Sequence, residues 1–359
     1  MPTKRKRGGP IAAAAPDASG SPLLDLGALV EGTVVKRPSA TIRSAYVADV
    51  RLAGGDDADE LALAHAPALD VGGLCAPGGT VLMRERAPGG KTSHSIDIVL
   101  SDAPDGKEGT VLVGAHPRLG EDLAEEVLRR GLLVECLGMG AITGDMPKGK
   151  GKKSPKGKKR RKGAATNAEE DRDEEEEEAL DPGIYLKKQV TYGDSRVDFE
   201  LTAVNGKKGE KEGPRSRALI EVKNVVCADY FSGHAPEKRG DNHCVIVSPE
   251  RDASKYERAA LFPWGRVAQE FEGQKVVSTR AIKHIRNLVD MRSEEVRPIV
   301  LFVVNRSDCE RVRACGEACP VFAKELAKAS KKGVLVVAFR VRWSKCGKAY
   351  FDGVLPVDL

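Results

Sequence analysis

Glu221 and Lys223 stand two residues apart in ALIEVKNVV (218–226), a run whose Ala, Leu, Ile and Val suit a pleated, half-buried strand. Side chains two apart on a strand point to the same face, so this acid and this base are neighbours. Earlier in the chain, SRVDFEL sets Asp198 between Val197 and Phe199. An ionised carboxylate among apolar side chains is costly unless it is paired or binds a cation. On adjacent strands Asp198, Glu221 and Lys223 can meet at one point. Two carboxylates and a backbone carbonyl, that of Val222, form the partial oxygen shell in which Mg²⁺ (or Mn²⁺) keeps several waters and reaches phosphate oxygens. Such an ion polarises a phosphodiester and lowers the pKa of a water, and Lys223 then orients that water or offsets charge on phosphorus. The same Glu-x-Lys pattern also serves as an ordinary cross-strand surface pair worth a few tenths of a kcal/mol. Arg196 lies two residues before Asp198 and shares its face, either to touch phosphate or to pair with Glu221.

The elements around these residues follow from pattern. The stretch from about 26 to 115 holds short β-rich runs broken by Gly, Asp and Pro (GTVVKR, AYVADVRLA, ELALAHA, TVLMRER, SIDIVLS, TVLVGA), which predicts a small barrel or sandwich. A second unit spans 116–359. GEDLAEEVLRRGLL begins it as a helix, with Leu123, Val127, Leu128 and Leu132 on one stripe, acids near its start and arginines near its end. QVTYG, SRVDFELTA and ALIEVKNVVC read as strands, STRAIKHIRNLVDM as a helix, PIVLFVVN as a central strand, VFAKELAKASKKG as a helix ending at glycine, and VLVVAFRVRW as a strand. Strands alternating with helices make a mixed α/β domain.

Two insertions and a tail interrupt this plan. Residues 1–25 are poor in aromatics and rich in Ala, Gly and Pro, the composition of a disordered tail; the KRKR within it reads either as a nuclear address or as part of an organellar presequence. Residues 146–180 carry a basic block and then an acidic one, and 232–260 form a polar loop insertion. The net charge of +5 hides those opposed blocks. No stretch approaches the roughly 20 apolar residues of a membrane-spanning helix, so a transmembrane protein is excluded and an intracellular, soluble one expected. Eight cysteines at this length, with no CxxC pair, suggest reduced thiols, not a disulfide scaffold or a common zinc site.

The series VTYGDSRVDFEL, ALIEVKNV, STRAIKHIRNL, RPIVLFVVNRSD and GVLPVDL, with GTVVKR, YVADV and LAHAP before it, resembles the sugar fermentation stimulation protein A family. The resemblance covers most of residues 31–359 outside the insertions. It implies an N-terminal OB-fold-like β-barrel followed by a PD-(D/E)xK nuclease-like mixed α/β domain, and an association with DNA. Asp198 and Glu221 then correspond to metal ligands and Lys223 to the catalytic lysine. Glu126 corresponds to the acid on the first nuclease-domain helix, and Lys283 and His284 to a Lys-His pair facing phosphate. The chain departs from the family where HAPALD replaces a turn with Asn, Thr and Gly, and where FPWG puts Trp264 in place of an acid.

OB-type barrels bind single strands through a basic groove and stacking aromatics. Lys36, Arg37 and Arg43 lie near Tyr46 here, with few other aromatics. The basic block 148–162 adds ten cations able to neutralise phosphates, or to serve as an import signal or solubilising loop. Two functions are therefore expected: a Mg²⁺-dependent nuclease on single-stranded or structured DNA, or a non-catalytic DNA-binding regulator on a nuclease scaffold. A protein-interacting scaffold is the third class.

Overall fold

The computed structural model describes residues 20–54, 61–66, 71–102, 110–146, 182–193, 195–205 and 216–359. The charged insertion and most of the N-terminal tail lie outside these residues. In chain order the elements are β1 (Leu24–Asp25), β2 (Val30–Lys36), β3 (Val47–Leu52), β4 (Leu61–His65), β5 (Thr80–Glu85), β6 (His94–Asp102) and β7 (Thr110–Gly114). Helices α1 (Leu119–Arg129) and α2 (Val134–Leu137) precede β8 (Ile142–Asp145), β9 (Gly183–Tyr192), β10 (Ser195–Val204), β11 (Ser216–Val225) and β12 (Cys227–Ala228). Then come β13 (Ala259–Phe262), β14 (Gln269–Phe271), β15 (Gln274–Val276), α3 (Thr279–Asp290), β16 (Val296–Val304) and β17 (Arg311–Ala314). The chain closes with α4 (Pro320–Lys331), β18 (Leu335–Trp343), β19 (Lys348–Leu355) and β20 (Val357–Asp358).

The first sheet runs β4-β3-β2-β5-β6-β7, and a parallel pairing of the edge strand β4 with β6 closes it into a barrel. Val34, Val50, Val81, Met83, Ile96 and Val99 fill it. Gly32 is needed at the wall, because a Cβ there would come within 2.6 Å of Val50 Cγ1.

The second sheet has eight strands in the order β1-β19-β18-β16-β11-β10-β9-β8. Its centre, β11-β16-β18, is parallel, and β16 is apolar on both faces because both are covered. On one face Leu119, Leu123, Val127 and Leu128 of α1 pack against Phe199, Ile220 and Val222. On the other, Ile282, Ile285 and Leu288 of α3 and Phe322 and Leu326 of α4 pack against Leu219, Val300 and Phe302. A smaller sheet, β12-β13-β17-β20, sits beside it.

The tail expected over 1–25 ends earlier than its composition suggests. Leu23 is buried in the core of the large sheet, β1 pairs with β19, and Arg130 binds the Ser21 and Pro22 carbonyls. The loop between β12 and β13 is irregular but not wholly solvated, since His243, Cys244 and Arg258 are buried. Barrel and α/β unit are tied by Gly114 N–H to the Asn305 carbonyl (2.9 Å), by Arg306 to Ser101 Oγ (3.1 Å) and by the Arg239–Asp102 ion pair. No helix among the described residues is long and apolar enough to cross a membrane.

Candidate functional site

The large sheet forks beside Asp198. Strands β10 and β11 are paired up to Phe199↔Ile220, whereas β9–β10 continue to Ser195↔Tyr192 and β11–β16 to Val225↔Val304. In the fork the Asp198 side chain takes over as acceptor, receiving the Val222 N–H on Oδ2 at 2.7 Å. Lys223 donates from Nζ to Glu221 Oε1 at 2.5 Å, and His284 Nδ1 contacts the same oxygen from α3. Asp198, Glu221 and Lys223 are all buried, at 8%, 4% and 8% exposure. The fork thus brings two carboxylates and an ammonium together in a largely dry place.

Their environments push the two acids apart. Burial, then the nearby Glu221 charge, raises the Asp198 carboxyl to about 6 despite the Val222 N–H and Lys223. Burial also works to raise Glu221, but His284 and Lys223 outweigh it and hold that carboxyl below its ordinary value. Arg280 Nε donates to His284 Nε2 at 3.3 Å, which makes Nε2 the acceptor and Nδ1 the N–H that donates to Glu221. Ser278 caps α3 by accepting the Ala281 N–H at 3.1 Å, and the buried Ala281, Ile282, Ile285 and Leu288 fix the turn that presents His284.

The acid that helix α1 brings toward the fork is Glu121. Its charge acts on Asp198, and its Oε2 accepts from Gln189 Nε2 at 2.7 Å. Gln189 sits on β9 between the partners of Val197 and Phe199 and carries a left-handed φ of 54°, backbone strain at the position facing Asp198. The helix start comes this close because residue 120 is glycine: a Cβ there would lie 2.8 Å from Asn224 Cβ. The structure does not bring Glu126 to the cluster. At 100° per residue it stands about 140° around the helix from Glu121, where it pairs with Arg130 at 2.7 Å.

The other expected residues are dispersed. Arg196 is exposed on β10. Lys283 is exposed one position from His284 and points elsewhere on α3, so only the histidine of that pair joins the site. Lys36 is exposed at the end of β2. Arg37 donates to the Ala45 carbonyl at 3.0 Å and lines a separate crevice of about 320 Å³ with Arg239 and His243. Glu121, Gln189 and Arg280 were not anticipated, although the i,i+4 spacing of Arg280 and His284 in TRAIKH is a legible signal for the last. Among the described residues no three His, Cys, Asp or Glu side chains are grouped closely enough to hold a metal by themselves. The cysteines at 244, 309, 315 and 319 are buried free thiols.

Comparison with known proteins adds three findings. The model of the sugar fermentation stimulation protein RE domain matches residues 275–347, which include α3, β16 and α4. A sugar fermentation stimulation protein homolog of Syntrophotalea carbinolica is 26% identical over 333 residues, 92% of this chain and 97% of that protein; one of Brucella ovis is 26% identical over 277 residues, 77% of this chain and 76% of that protein. Among solved structures, Pyrococcus furiosus SfsA in complex with Ca²⁺ superposes with a TM-score of 0.57 at 15% identity, covering 95% of this chain and 100% of that one.

Proposed function

We propose that this chain, a member of the sugar fermentation stimulation protein (SfsA) family, is a divalent-metal-dependent nuclease that hydrolyses phosphodiester bonds of DNA. The observation that carries this reading is the meeting of Asp198, Glu221 and Lys223 in the fork of the large sheet. The barrel is read as OB-fold-like because its strands close through a parallel pairing of β4 with β6. The α/β unit is read as PD-(D/E)xK-like because an Asp and a Glu-x-Lys on adjacent strands lie where a mixed sheet splays.

The residues present fit a hard cation. Asp198 and Glu221 offer carboxylate oxygens, Glu121 adds negative charge alongside, and burial leaves Asp198 reluctant to carry its charge without a cation. Mg²⁺ or Mn²⁺ suits such a set, and the complex of Pyrococcus furiosus SfsA with Ca²⁺ supports a divalent ion. When bound, the ion supplies Lewis-acid polarisation of the phosphodiester and a lowered pKa for an attacking water. Lys223 places a compact positive charge where charge grows on the phosphoryl oxygens. His284 steadies Glu221 from α3. Arg280, exposed beside His284, is positioned for a flanking phosphate.

A second reading, DNA binding without turnover, is favoured by one observation: Glu221 already satisfies its charge with Lys223 and His284. A labelled panel of single-stranded, duplex and branched DNA incubated with Mg²⁺ or Mn²⁺ separates the two. Cutting that Asp198→Ala and Lys223→Ala abolish, with binding retained, supports the nuclease. Binding without cutting by the wild type supports the regulator.

A further inference from the structure

A crevice of about 220 Å³ opens beyond the carboxyl end of β11, lined by Phe262, Trp264, Pro117 and Asn224 together with Val71 and Ala115. Asn224 follows Lys223 but faces the other side of the sheet, against Gly120 at the start of α1, one residue before Glu121, so the crevice adjoins the site along that helix start. Ligand sites in sheets with parallel strands favour this carboxyl end.

We propose that this crevice is a nucleobase subsite, in which Trp264 stacks on the base of the nucleotide next to the phosphate bound at Asp198 and Glu221. The inference rests on the nucleic-acid reading above and names the part of that substrate the site grips: an unpaired base, hence a single-stranded or splayed segment. The walls are rigid before any ligand arrives. Phe262 is held edge-on to Phe322 at 5.3 Å and tilted against Phe302 at 5.8 Å, and the Trp264 indole N–H donates to the Asn242 carbonyl at 2.8 Å. A ring fixed in this way loses little freedom on stacking.

The polar end of the crevice has a defined sense. Trp343 Nε1 can only donate, and it donates to Asn305 Oδ1 at 3.0 Å. Asn305 Nδ2 therefore faces Asn224 Oδ1, at 2.6 Å, and the Asn224 amide is left with its donor end for a ligand. An aromatic wall with one amide donor matches a base edge carrying a carbonyl oxygen, as in thymine, better than a phosphate or a cation. A base that lies on Trp264 and turns its edge to the Asn224 amide is one without a paired partner.

The test titrates the full chain with a labelled thymidine oligonucleotide in the presence of Ca²⁺, with any cutting followed in parallel on a denaturing gel. Anisotropy gives affinity and tryptophan fluorescence reports stacking. The chain has two tryptophans, and Trp343 is buried at 5% exposure, so quenching reads Trp264. The expected result is quenching by the strand, its loss together with about tenfold weaker binding in Trp264→Leu, and recovery of most affinity in Trp264→Phe. A scan of single abasic sites along the oligonucleotide, with the wild type, should find one position that removes the quenching, which keeps the test independent of whether the variant folds. Equal binding by wild type and Trp264→Leu, with no quenching and no sensitive position, overturns the subsite alone. Absence of binding by the wild type overturns the subsite and the nucleic-acid reading together.

Discussion

The Asp198 carboxylate accepts the backbone N–H of Val222 at 2.7 Å, a side-chain bond standing in the gap where β10 has already parted from β11. Glu221 and Lys223, the residues flanking Val222, are thereby locked to Asp198 through one backbone unit. The fork is therefore both a structural joint and a candidate chemical site, and substitutions can separate those roles.

The fold disfavours the charged form of Asp198 relative to the unfolded chain, raising its carboxyl from 3.8 to about 6. A raised carboxyl favours folding most below the unfolded value, and that contribution is lost as pH rises through about 6. Asp198→Asn keeps an acceptor for Val222 and removes the buried charge, so at pH 7.5 it should be more stable than wild type by roughly 3 kcal/mol. Urea unfolding between pH 4 and 8 should show the wild type losing stability across that window and the variant lacking this loss. Equal pH slopes would remove the claim that the site holds a destabilised charge.

Glu121, not Glu126, should govern activity. Glu121→Gln is expected to lower the cleavage rate at least about tenfold, as loss of one charged group at a reacting centre does. Glu126→Gln should change the rate less than about twofold and cost roughly 0.5 kcal/mol through its i,i+4 pair with Arg130. Rates of the two purified variants on one DNA substrate decide it; the reverse order would restore Glu126 to the site.

Gly120→Ala tests the positioning of α1. The added methyl would meet Asn224 Cβ at 2.8 Å, inside ordinary contact, and must push the helix start away from β11. A destabilisation of about 1–3 kcal/mol is expected, with a fall in cleavage, because Glu121 moves with the helix. Unchanged melting and rate would show that this close approach is dispensable.

How much of this was legible in sequence depends on range. The ALIEVKNVV strand and its same-face acid and base follow from a period of two, and both β10 and β11 appear where alternation puts them. The choice between Glu121 and Glu126 did not follow. Both acids border the apolar stripe of α1, on opposite edges, and only the placement of β9 decides which edge meets Asp198: Gln189 and Lys188 bind Glu121 and Glu125, while Glu126 turns toward Arg130 and the N-terminal segment. Short elements were equally silent. The two-residue strands β1 and β20 exist through pairing with β19 and β17, partners outside their own local sequence, and no local composition marks them. The left-handed Gln189 has no propensity signal at all, since its strain is imposed by the fork.

Anomalous diffraction from crystals grown with Mn²⁺ reads out whether Asp198 and Glu221 jointly hold a divalent ion. One strong anomalous peak is expected within coordination distance of both carboxylates, with Glu221 released from Lys223 or shared between it and the ion, and no such peak in Asp198→Asn crystals. A map with the Glu221–Lys223 pair intact and no peak in the fork would contradict a jointly held ion.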